Sequence, residues 1–176
     1  MTEYRRDHTP SSTWFFTVNL AQRRDNRLLV KRIDTLRQVL REVKQVHPFH
    51  IHAIVVLPEH LHCIWTLPEG DADYGKRWSL IKAGFSRRMP RTESRSESRI
   101  KRGERGIWQR RYWEHRIRDD RDFERHADYI HWNPVKHGWV EQVVDWPYSS
   151  FHRYVERGIY PQDWAGCPDP ALETGE

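Results

Sequence analysis

The sequence has few cysteines and no long apolar run. Its 2 cysteines, Cys63 and Cys167, lie over a hundred positions apart and form no CxxC pair, so neither a disulfide framework nor a thiolate zinc site is indicated. No apolar stretch approaches the roughly 20 residues that cross a bilayer, and residues 1–7 lead into polar sequence rather than an apolar signal core. These absences exclude a membrane-spanning protein and favour a cytoplasmic one.

Hydrophobic residues are also scarce, at 37%, but aromatic residues reach 12% and include nine tryptophans. A disordered chain would not carry that many aromatic anchors, so we expect a folded protein. Its 176 residues suit one domain. We expect residues 1–145 to form this domain and residues 146–176 to form a tail. The aromatic part of the tail, 146–164, should dock on the domain, and residues 173–176 should fray.

Positive charge is concentrated in one region. The formal net charge is +5, but residues 76–125 contain 17 Lys or Arg against 8 Asp or Glu, a net +9. Five aromatic side chains are interspersed there: Trp78, Phe85, Trp108, Tyr112 and Trp113. Cationic groups neutralise phosphates and flat rings stack on bases, so nucleic acid is the leading partner. A solvated arginine-rich surface that binds nothing specifically is the alternative.

Periodicity predicts the order β-α-β-β-α-β-α. Short apolar runs at 14–20, 50–57 and 61–67 indicate strands, the last two forming a hairpin, and residues 108–117 alternate like a fourth strand. Helical spacing marks residues 30–46, a segment beginning at 74, and a segment that Asp119 or Asp120 caps and that ends at Asn133, before Pro134. Residues 91–106 have one apolar side chain and should form a mobile loop. This order predicts an α+β, ferredoxin-like split βαβ fold, with helices covering a central antiparallel sheet.

Two histidines on one strand suggest a metal site. Side chains alternate along a strand, so His60 and His62 point to the same face. His50 and His52 repeat the spacing on the preceding strand, but the first pair lies at a strand end beside Glu59 and is favoured. Half-buried surface histidines are the alternative reading of either pair.

Tyr129 and Asn133 lie four residues apart on the last predicted helix and therefore share one face. A phenol is a poor nucleophile until a cation or a base draws off its proton. A nucleophile and a metal ligand could share that face, although a packing tyrosine and a C-terminal asparagine are common in helices.

Several stretches in fixed order carry a family resemblance. They are EYRR (3–6), TWFFTVNL (13–20), VVLPEHLHCIWTLPEGD (55–71), IWQRRYWEHRIRDD (107–120), HADYIHWNPVKHGWV (126–140) and DWPYSSFHRYVERGIYPQDWAG (145–166). This ordered set resembles the REP-associated tyrosine transposases of bacteria, which belong to the single-tyrosine HUH transposases. The loop at 91–106 is longer than in the family pattern, so the DNA contacts known for the family are least applicable to this region.

The resemblance implies a mechanism and a partner. It implies that His60, His62 and Asn133 hold Mg²⁺ or Mn²⁺ and that Tyr129 attacks a phosphodiester of single-stranded DNA, leaving a 5′-phosphotyrosine and a free 3′-OH. The implied substrate is a REP hairpin with an adjacent unpaired guide tetranucleotide. The implied state is a monomer in the bacterial cytoplasm, at the nucleoid. The basic segment supplies candidate DNA-binding residues: Arg77, Lys82, Arg87, Arg88, Arg110, Arg111, Arg116 and Arg118.

Two rival functions remain open from the sequence. One is a hairpin-binding module without catalysis, in which Tyr129 packs and the histidines are structural. The other is a metal-dependent hydrolytic nuclease that uses water as nucleophile and Glu59 or Glu114 as base. Glu114 and the adjacent His115 could order the site or contact DNA, and an ion pair of Glu114 with a nearby arginine is as compatible with the sequence.

Overall fold

A computed structural model describes residues 9–166, 169 and 171–176. The EYRR stretch at 3–6 and Cys167 lie outside the described residues. No helix within these ranges is long and apolar enough to cross a membrane.

The core of the fold is a four-stranded antiparallel sheet in the order β2-β3-β1-β4. Its strands are β1 (Thr13–Asn19), β2 (His50–Val56), β3 (His60–Thr66) and β4 (Trp113–Arg116). The helices are α1 (Leu28–Lys31), α2 (Ile33–Val46), α3 (Tyr74–Arg87), α4 (Glu97–Lys101), α5 (Asp120–Lys136) and α6 (Phe151–Glu156). A 3-10 turn spans Val143–Asp145. Strand β3 lies between β2 and β1, which is the predicted split βαβ arrangement, and the α+β fold is confirmed.

The two faces of the sheet pack against different helices. One face, with Phe16 and Trp65, packs against α2 and α3 and forms the larger apolar cluster. The other face, with Phe15 and Ile64, packs against α5 and the tail. Because side chains alternate along a strand, the residues in register with Phe15 and Ile64 must also face α5. His60 and His62 are in this group, so the sheet delivers them to the α5 face.

Three of the segments predicted before α5 differ in the structure. The helix predicted at 30–46 is broken at Arg32, where the backbone leaves helical geometry between α1 and α2. The strand predicted at 108–117 pairs as a ladder only at 113–116, and Trp108 forms a separate bridge to Leu20. The segment 91–106, expected to lack regular structure, contains α4. Arg105 stabilises this segment, because its guanidinium donates to the carbonyl oxygens of Ser86 and Pro90 at 2.7 and 2.8 Å.

The prediction that the last long helix ends at Asn133 is wrong. Helix α5 continues to Lys136 with Pro134 inside it, and His137 N still donates to Asn133 O at 3.0 Å. A proline within the last turn removes one hydrogen bond but leaves the carbonyl groups around it able to accept others. This extra turn matters because it brings Lys136 and His137 to the sheet face that carries His60.

Candidate active site

The site begins with the two histidines of β3. His60 and His62 are both fully buried, and their rings lie 4.8 Å apart between centroids. Their Nδ1 atoms face hydrogen-bond partners behind the site: His60 Nδ1 lies 2.9 Å from Glu59 Oε1, and His62 Nδ1 lies 2.8 Å from Thr17 Oγ1. Thr17 donates its own hydrogen to Thr174 O, so it accepts from His62 Nδ1. Such partners fix the ring orientation and leave both Nε2 atoms facing forward.

Helix α5 supplies the second half of the site. Tyr129 and Asn133 are both buried on the face that packs against the sheet, and Tyr129 lies 5.3 Å from the His62 ring between centroids. The phenolic oxygen of Tyr129 accepts two hydrogen bonds, from Lys136 Nζ at 2.9 Å and from Thr174 Oγ1 at 3.0 Å. The Lys136 ammonium also lies 4.8 Å from the centroid of the Tyr129 ring. Both donors favour negative charge on the phenolic oxygen.

The side chain of Glu176, the last residue of the sequence, reaches into the centre of the site. Its Oε1 lies 2.7 Å from His62 Nε2 and 3.5 Å from His60 Nε2, and it accepts from Asn133 Nδ2 at 3.0 Å. Its Oε2 pairs with Lys136 and lies 3.4 Å from His137 Nε2. The sequence predicts that residues 173–176 fray, whereas the structure shows Thr174 buried and Glu176 with a side chain only 14% exposed.

Burial and charge set the protonation of these groups. Burial lowers the pKa of His62 to about 3, so its ring is neutral near pH 7. Burial opposes charge on His60 too, but the carboxylates of Glu176 and Glu59 outweigh it and raise the pKa of His60. Burial and the neighbouring Glu176 carboxylate also raise the pKa of Tyr129 far above its ordinary value, and the Thr174 and Asn133 hydrogen bonds oppose that rise. The neutral phenol therefore needs help to ionise.

The donor set fits a divalent cation. Both histidine Nε2 atoms and the Asn133 side chain converge on one carboxylate oxygen. Among the described residues, His60 Nε2 and Asn133 Oδ1 are buried and have no hydrogen-bond partner, which is costly unless another group binds them. His60, His137 and Glu176 also place ligand atoms within 4.8 Å of one another. The sequence-based ligands are thus brought together, and Glu176 adds a carboxylate beside them.

The candidate DNA-binding residues fall on several surfaces. Arg77 has a side chain only 3% exposed, and it pairs with Asp71 at 2.6 Å and donates to Pro48 O at 2.7 Å, so we assign it to the fold. Arg88 forms two contacts with Glu42, at 2.8 and 3.0 Å. The others line grooves or the exposed surface. Lys82, Arg87 and Arg110 lie in a groove of about 570 Å³ beside α3, Arg116 and Arg118 in one of about 530 Å³ beside β4, and Arg111 is exposed.

The remaining candidates have structural partners. Glu114 lies on the sheet face opposite the histidines and accepts from Tyr74 OH at 3.4 Å, so it is remote from Tyr129. His115 Nε2 lies 2.8 Å from Asp122 Oδ2 and links β4 to the start of α5. His52 Nε2 lies 2.7 Å from Thr66 Oγ1 and its ring contacts Phe123, away from the site.

Five residues of the site escaped the sequence analysis: Thr17, Lys136, His137, Thr174 and Glu176. Lys136 is seven positions after Tyr129, close to two helical turns, and this spacing would have indicated it had the helix been continued past Pro134. Thr17 lies two positions after Phe15 on a predicted strand, so alternation would have placed both side chains on the same face. Thr174 and Glu176 carry no local signal, because only the path of the tail brings them to the sheet.

Comparisons with known proteins give a consistent result. No family model matches the sequence. The chain is 53% identical over 166 residues to the REP-associated tyrosine transposase of Escherichia coli K12, covering 94% of this chain and 92% of that one. A relative from Haemophilus influenzae is 48% identical over 171 residues, 96% of either chain. A solved REP-associated tyrosine transposase bound to a REP hairpin superposes with a TM-score of 0.85, with 50% identity over 100% of this chain and 98% of that one.

Proposed function

Because the chain belongs to the REP-associated tyrosine transposases, enzymes of the HUH type, we propose that it cleaves and rejoins single-stranded REP hairpin DNA through Tyr129. The convergence on Glu176 is the observation that carries this proposal. Histidine Nε2 atoms, the Asn133 amide and the Lys136 ammonium all contact one carboxylate, and Lys136 also contacts the Tyr129 oxygen. A carboxylate and a phosphodiester both present anionic oxygens, so the Asn133 amide and the Lys136 ammonium, which donate to the carboxylate, also suit a phosphate. The Nε2 atom of the neutral His62 ring carries no hydrogen and suits a cation instead.

Tyr129 is the nucleophile in this proposal. Its oxygen loses the phenolic proton and bonds to phosphorus while the bond from phosphorus to the 3′ oxygen breaks. The 3′ oxygen takes up one proton and leaves as a hydroxyl, so the step releases no net proton. The product is a 5′-phosphotyrosine, and the energy of the phosphodiester is kept for rejoining. Lys136 donates to the phenolic oxygen and stabilises its negative charge before attack.

His60, His62 and Asn133 are the proposed ligands of Mg²⁺ or Mn²⁺, with Glu59 and Thr17 fixing the rings from behind. A bound divalent cation would neutralise charge on the oxygens of the attacked phosphate. Two imidazole nitrogens suit Mn²⁺ better than Mg²⁺, which prefers oxygen ligands, so we expect higher activity with Mn²⁺.

The proposed partner is a REP hairpin with an unpaired guide tetranucleotide. The solved relative binds a REP hairpin, and the grooves beside α3 and β4 offer basic and aromatic side chains for a stem and for unpaired bases. We also propose that the protein is a monomer, because one chain supplies Tyr129 and both histidines. We propose that it acts at the bacterial nucleoid, where such DNA lies.

The contacts of Glu59 and Glu114 argue against a hydrolytic nuclease. Glu114 lies on the opposite sheet face, and Glu59 is bound to the rear nitrogen of His60, so neither carboxylate faces the phosphate position. A direct test uses 3′-labelled hairpin DNA and Mn²⁺ on a denaturing gel. The proposal expects a labelled covalent band that Tyr129→Phe abolishes and that the control Tyr148→Phe retains. Label released without attached protein would favour hydrolysis, and binding without cleavage would favour the non-catalytic module.

A further inference from the structure

Four rings of the active site form a row that leads to the far end of helix α5. The Tyr129 ring lies 5.3 Å from the His62 ring, between centroids. The His60 ring lies 4.8 Å beyond His62, and the His137 ring lies 5.2 Å beyond His60. His137 is the C-cap of α5, and Trp139 follows two positions later. Because two residues span at most about 7 Å, Trp139 lies close to the end of this row.

The backbone fixes Trp139 at this end of the helix. Gly138 has a φ of 68°, in the left-handed region, and its N–H donates to Val135 O at 2.9 Å. The N–H of Trp139 donates to Pro134 O at 2.9 Å, which completes a Schellman motif and sets the direction of the chain after the helix. The buried Trp146 packs against Trp139, with ring centroids 6.3 Å apart. Trp139 is nevertheless 39% exposed, so an immobilised aromatic surface lies open beside the active site.

The loop that joins β1 to α1 supplies positive charge at the same place. The guanidinium carbon of Arg27 lies 5.4 Å from the centroid of the Trp139 ring, and Arg27 is exposed. Arg23 Nη2 lies 3.4 Å from Glu59 Oε1, and the same oxygen lies 2.9 Å from His60 Nδ1. The loop therefore borders the active site at one arginine and the exposed tryptophan at another.

Internal hydrogen bonds hold this loop in shape. The Asn26 side chain donates to Gln22 O at 2.7 Å and accepts from Leu28 N at 2.9 Å. The Arg24 side chain is 96% exposed, and it lies 3.8 Å from an equally exposed Asp25, a contact that contributes little. The loop thus offers guanidinium groups that can bind phosphates without first breaking a buried ion pair.

The geometry of the reaction determines which DNA strand reaches this surface. In phosphoryl transfer the attacking and leaving oxygens lie roughly in line, on opposite sides of phosphorus. The attacking oxygen belongs to Tyr129, at one end of the row of rings. The leaving 3′ oxygen then points toward the other end, where His137 and Trp139 lie. A strand that continues from this oxygen passes over the indole and the basic loop.

We propose that Trp139 and Arg27 form a subsite for the unpaired strand that leaves with the free 3′-OH. One base of that strand stacks on the indole, and Arg27 pairs with a neighbouring phosphate. The proposal rests on the proposed function, because Tyr129 determines which oxygen leaves.

The subsite keeps the released strand beside the 5′-phosphotyrosine, so that the two can be rejoined. In rejoining, the 3′ hydroxyl loses its proton and its oxygen bonds to phosphorus. The bond from phosphorus to the Tyr129 oxygen breaks, and that oxygen takes up a proton. Loss of the subsite should therefore impair rejoining through weaker binding of the released strand.

The test measures rejoining directly. The protein forms its covalent complex with hairpin DNA and Mn²⁺, the released strand is removed by gel filtration, and an oligonucleotide of the same sequence is added at increasing concentration. Decay of the covalent band gives a half-saturating concentration and a maximal rate. Trp139→Leu should raise the half-saturating concentration by about fivefold to 150-fold, the factor that corresponds to base–aromatic stacking. The maximal rate should stay unchanged, because the indole does not touch the reacting atoms, and Trp139→Phe should restore most of the affinity.

Arg27→Gln tests the phosphate contact independently. It should reduce the dependence of the half-saturating concentration on salt, with a log–log slope smaller by about 0.7, the value for one phosphate of a single strand. Arg41→Gln is the matched control, because Arg41 is an exposed arginine of α2, and it should leave the slope unchanged. The control for Trp139 is Ile159→Ala, which removes an apolar side chain that is 55% exposed after α6.

An unchanged half-saturating concentration in Trp139→Leu, or an equal rise in Ile159→Ala, would overturn the subsite. If urea unfolding shows that Trp139→Leu does not fold, the exposed Arg27 decides: an unchanged salt slope in Arg27→Gln would then overturn it.

The two proposals fail separately. A covalent band whose decay does not depend on Trp139 would refute the subsite alone. If the wild type forms no covalent band, hairpin oligonucleotides with single abasic positions are titrated against Tyr129→Phe with and without Trp139→Leu. An abasic effect that disappears in Trp139→Leu would then support the base contact while the phosphotyrosine mechanism is refuted, and equal effects at every position would refute both.

Discussion

Replacing Glu176 with alanine tests whether the tail competes with the proposed cation and phosphate. The Glu176 carboxylate occupies the centre of the site, where it accepts from Asn133 Nδ2 at 3.0 Å and lies 2.7 Å from His62 Nε2. A group that binds the two histidines through Nε2 either displaces this carboxylate or shares the site with it as a further ligand.

The magnitude follows from the contacts that are lost. A hydrogen bond to a charged group contributes about 1.5–3 kcal/mol net, and holding the tail in place costs conformational entropy that offsets part of the sum. A net bias of about 1.5 kcal/mol toward the covered site reduces the apparent affinity of a competing ligand about tenfold. Glu176→Ala should therefore raise the apparent Mn²⁺ affinity by about that factor.

The assay measures the initial rate of covalent-band formation against Mn²⁺ concentration, with hairpin DNA held well below saturation so that the tail still occupies the site. Glu173→Ala serves as the control, because it removes the same charge from an exposed position of the tail. A half-maximal Mn²⁺ concentration that is unchanged in Glu176→Ala would refute the competition. A higher one would show instead that Glu176 is a required ligand, as its closeness to His60 and His137 allows.

Three further outcomes are expected. Glu59→Gln should weaken Mn²⁺ binding about tenfold to 100-fold by removing the carboxylate that orients the His60 ring, and isothermal titration with Mn²⁺ would contradict this if affinity were unchanged. Arg77→Met should lower the free energy of unfolding by about 1–3 kcal/mol, because it leaves the carbonyl oxygens of Pro48 and Asp73 without their buried donor, whereas the partly exposed Asp71 can be hydrated; a loss of hairpin affinity with unchanged urea stability would show that Arg77 contacts DNA instead. Burial, with His50 and Arg153 nearby, lowers the pKa of His52 to about 4. Below about pH 6.5 the unfolded state therefore binds a proton at His52 that the folded state does not bind. The free energy of unfolding should fall between pH 7 and 5 by about 1 kcal/mol more in the wild type than in His52→Gln, a value discounted for the partial exposure of the ring. Equal shifts of the urea midpoint in the two proteins would refute this.

Local pattern determined the elements that carry the proposed chemistry. Alternation placed His60 and His62 on one strand face, and a four-residue spacing placed Tyr129 and Asn133 on one helix face, because these two periods are properties of the backbone itself. The element order was sufficient for the split βαβ topology. The ordered family motifs added the roles of these residues, which the periods alone left open.

Predictions from local sequence patterns failed where a residue's contacts come from distant parts of the chain. Pro134 ends a helix by its intrinsic preference, yet the last turn of α5 tolerates it, and Lys136 and His137 reach the site as a result. Arg77 lies in the basic segment and was therefore a candidate DNA contact. The packing of α3 on α2 instead buries its side chain beside Asp71. For Pro134 the unfavourable helix propensity that must be outweighed is about 3 kcal/mol.

The sequence by itself determined which chemistry is available: two histidines, a tyrosine and an asparagine on surfaces that periodicity defines. Only the tertiary structure decided what stands between them. The sheet register brings Thr17 behind His62, and the tail carries Glu176 from the far end of the chain to within 2.7 Å of the same ring. Contacts between residues more than a hundred positions apart depend on the whole path of the chain, and no local period encodes them.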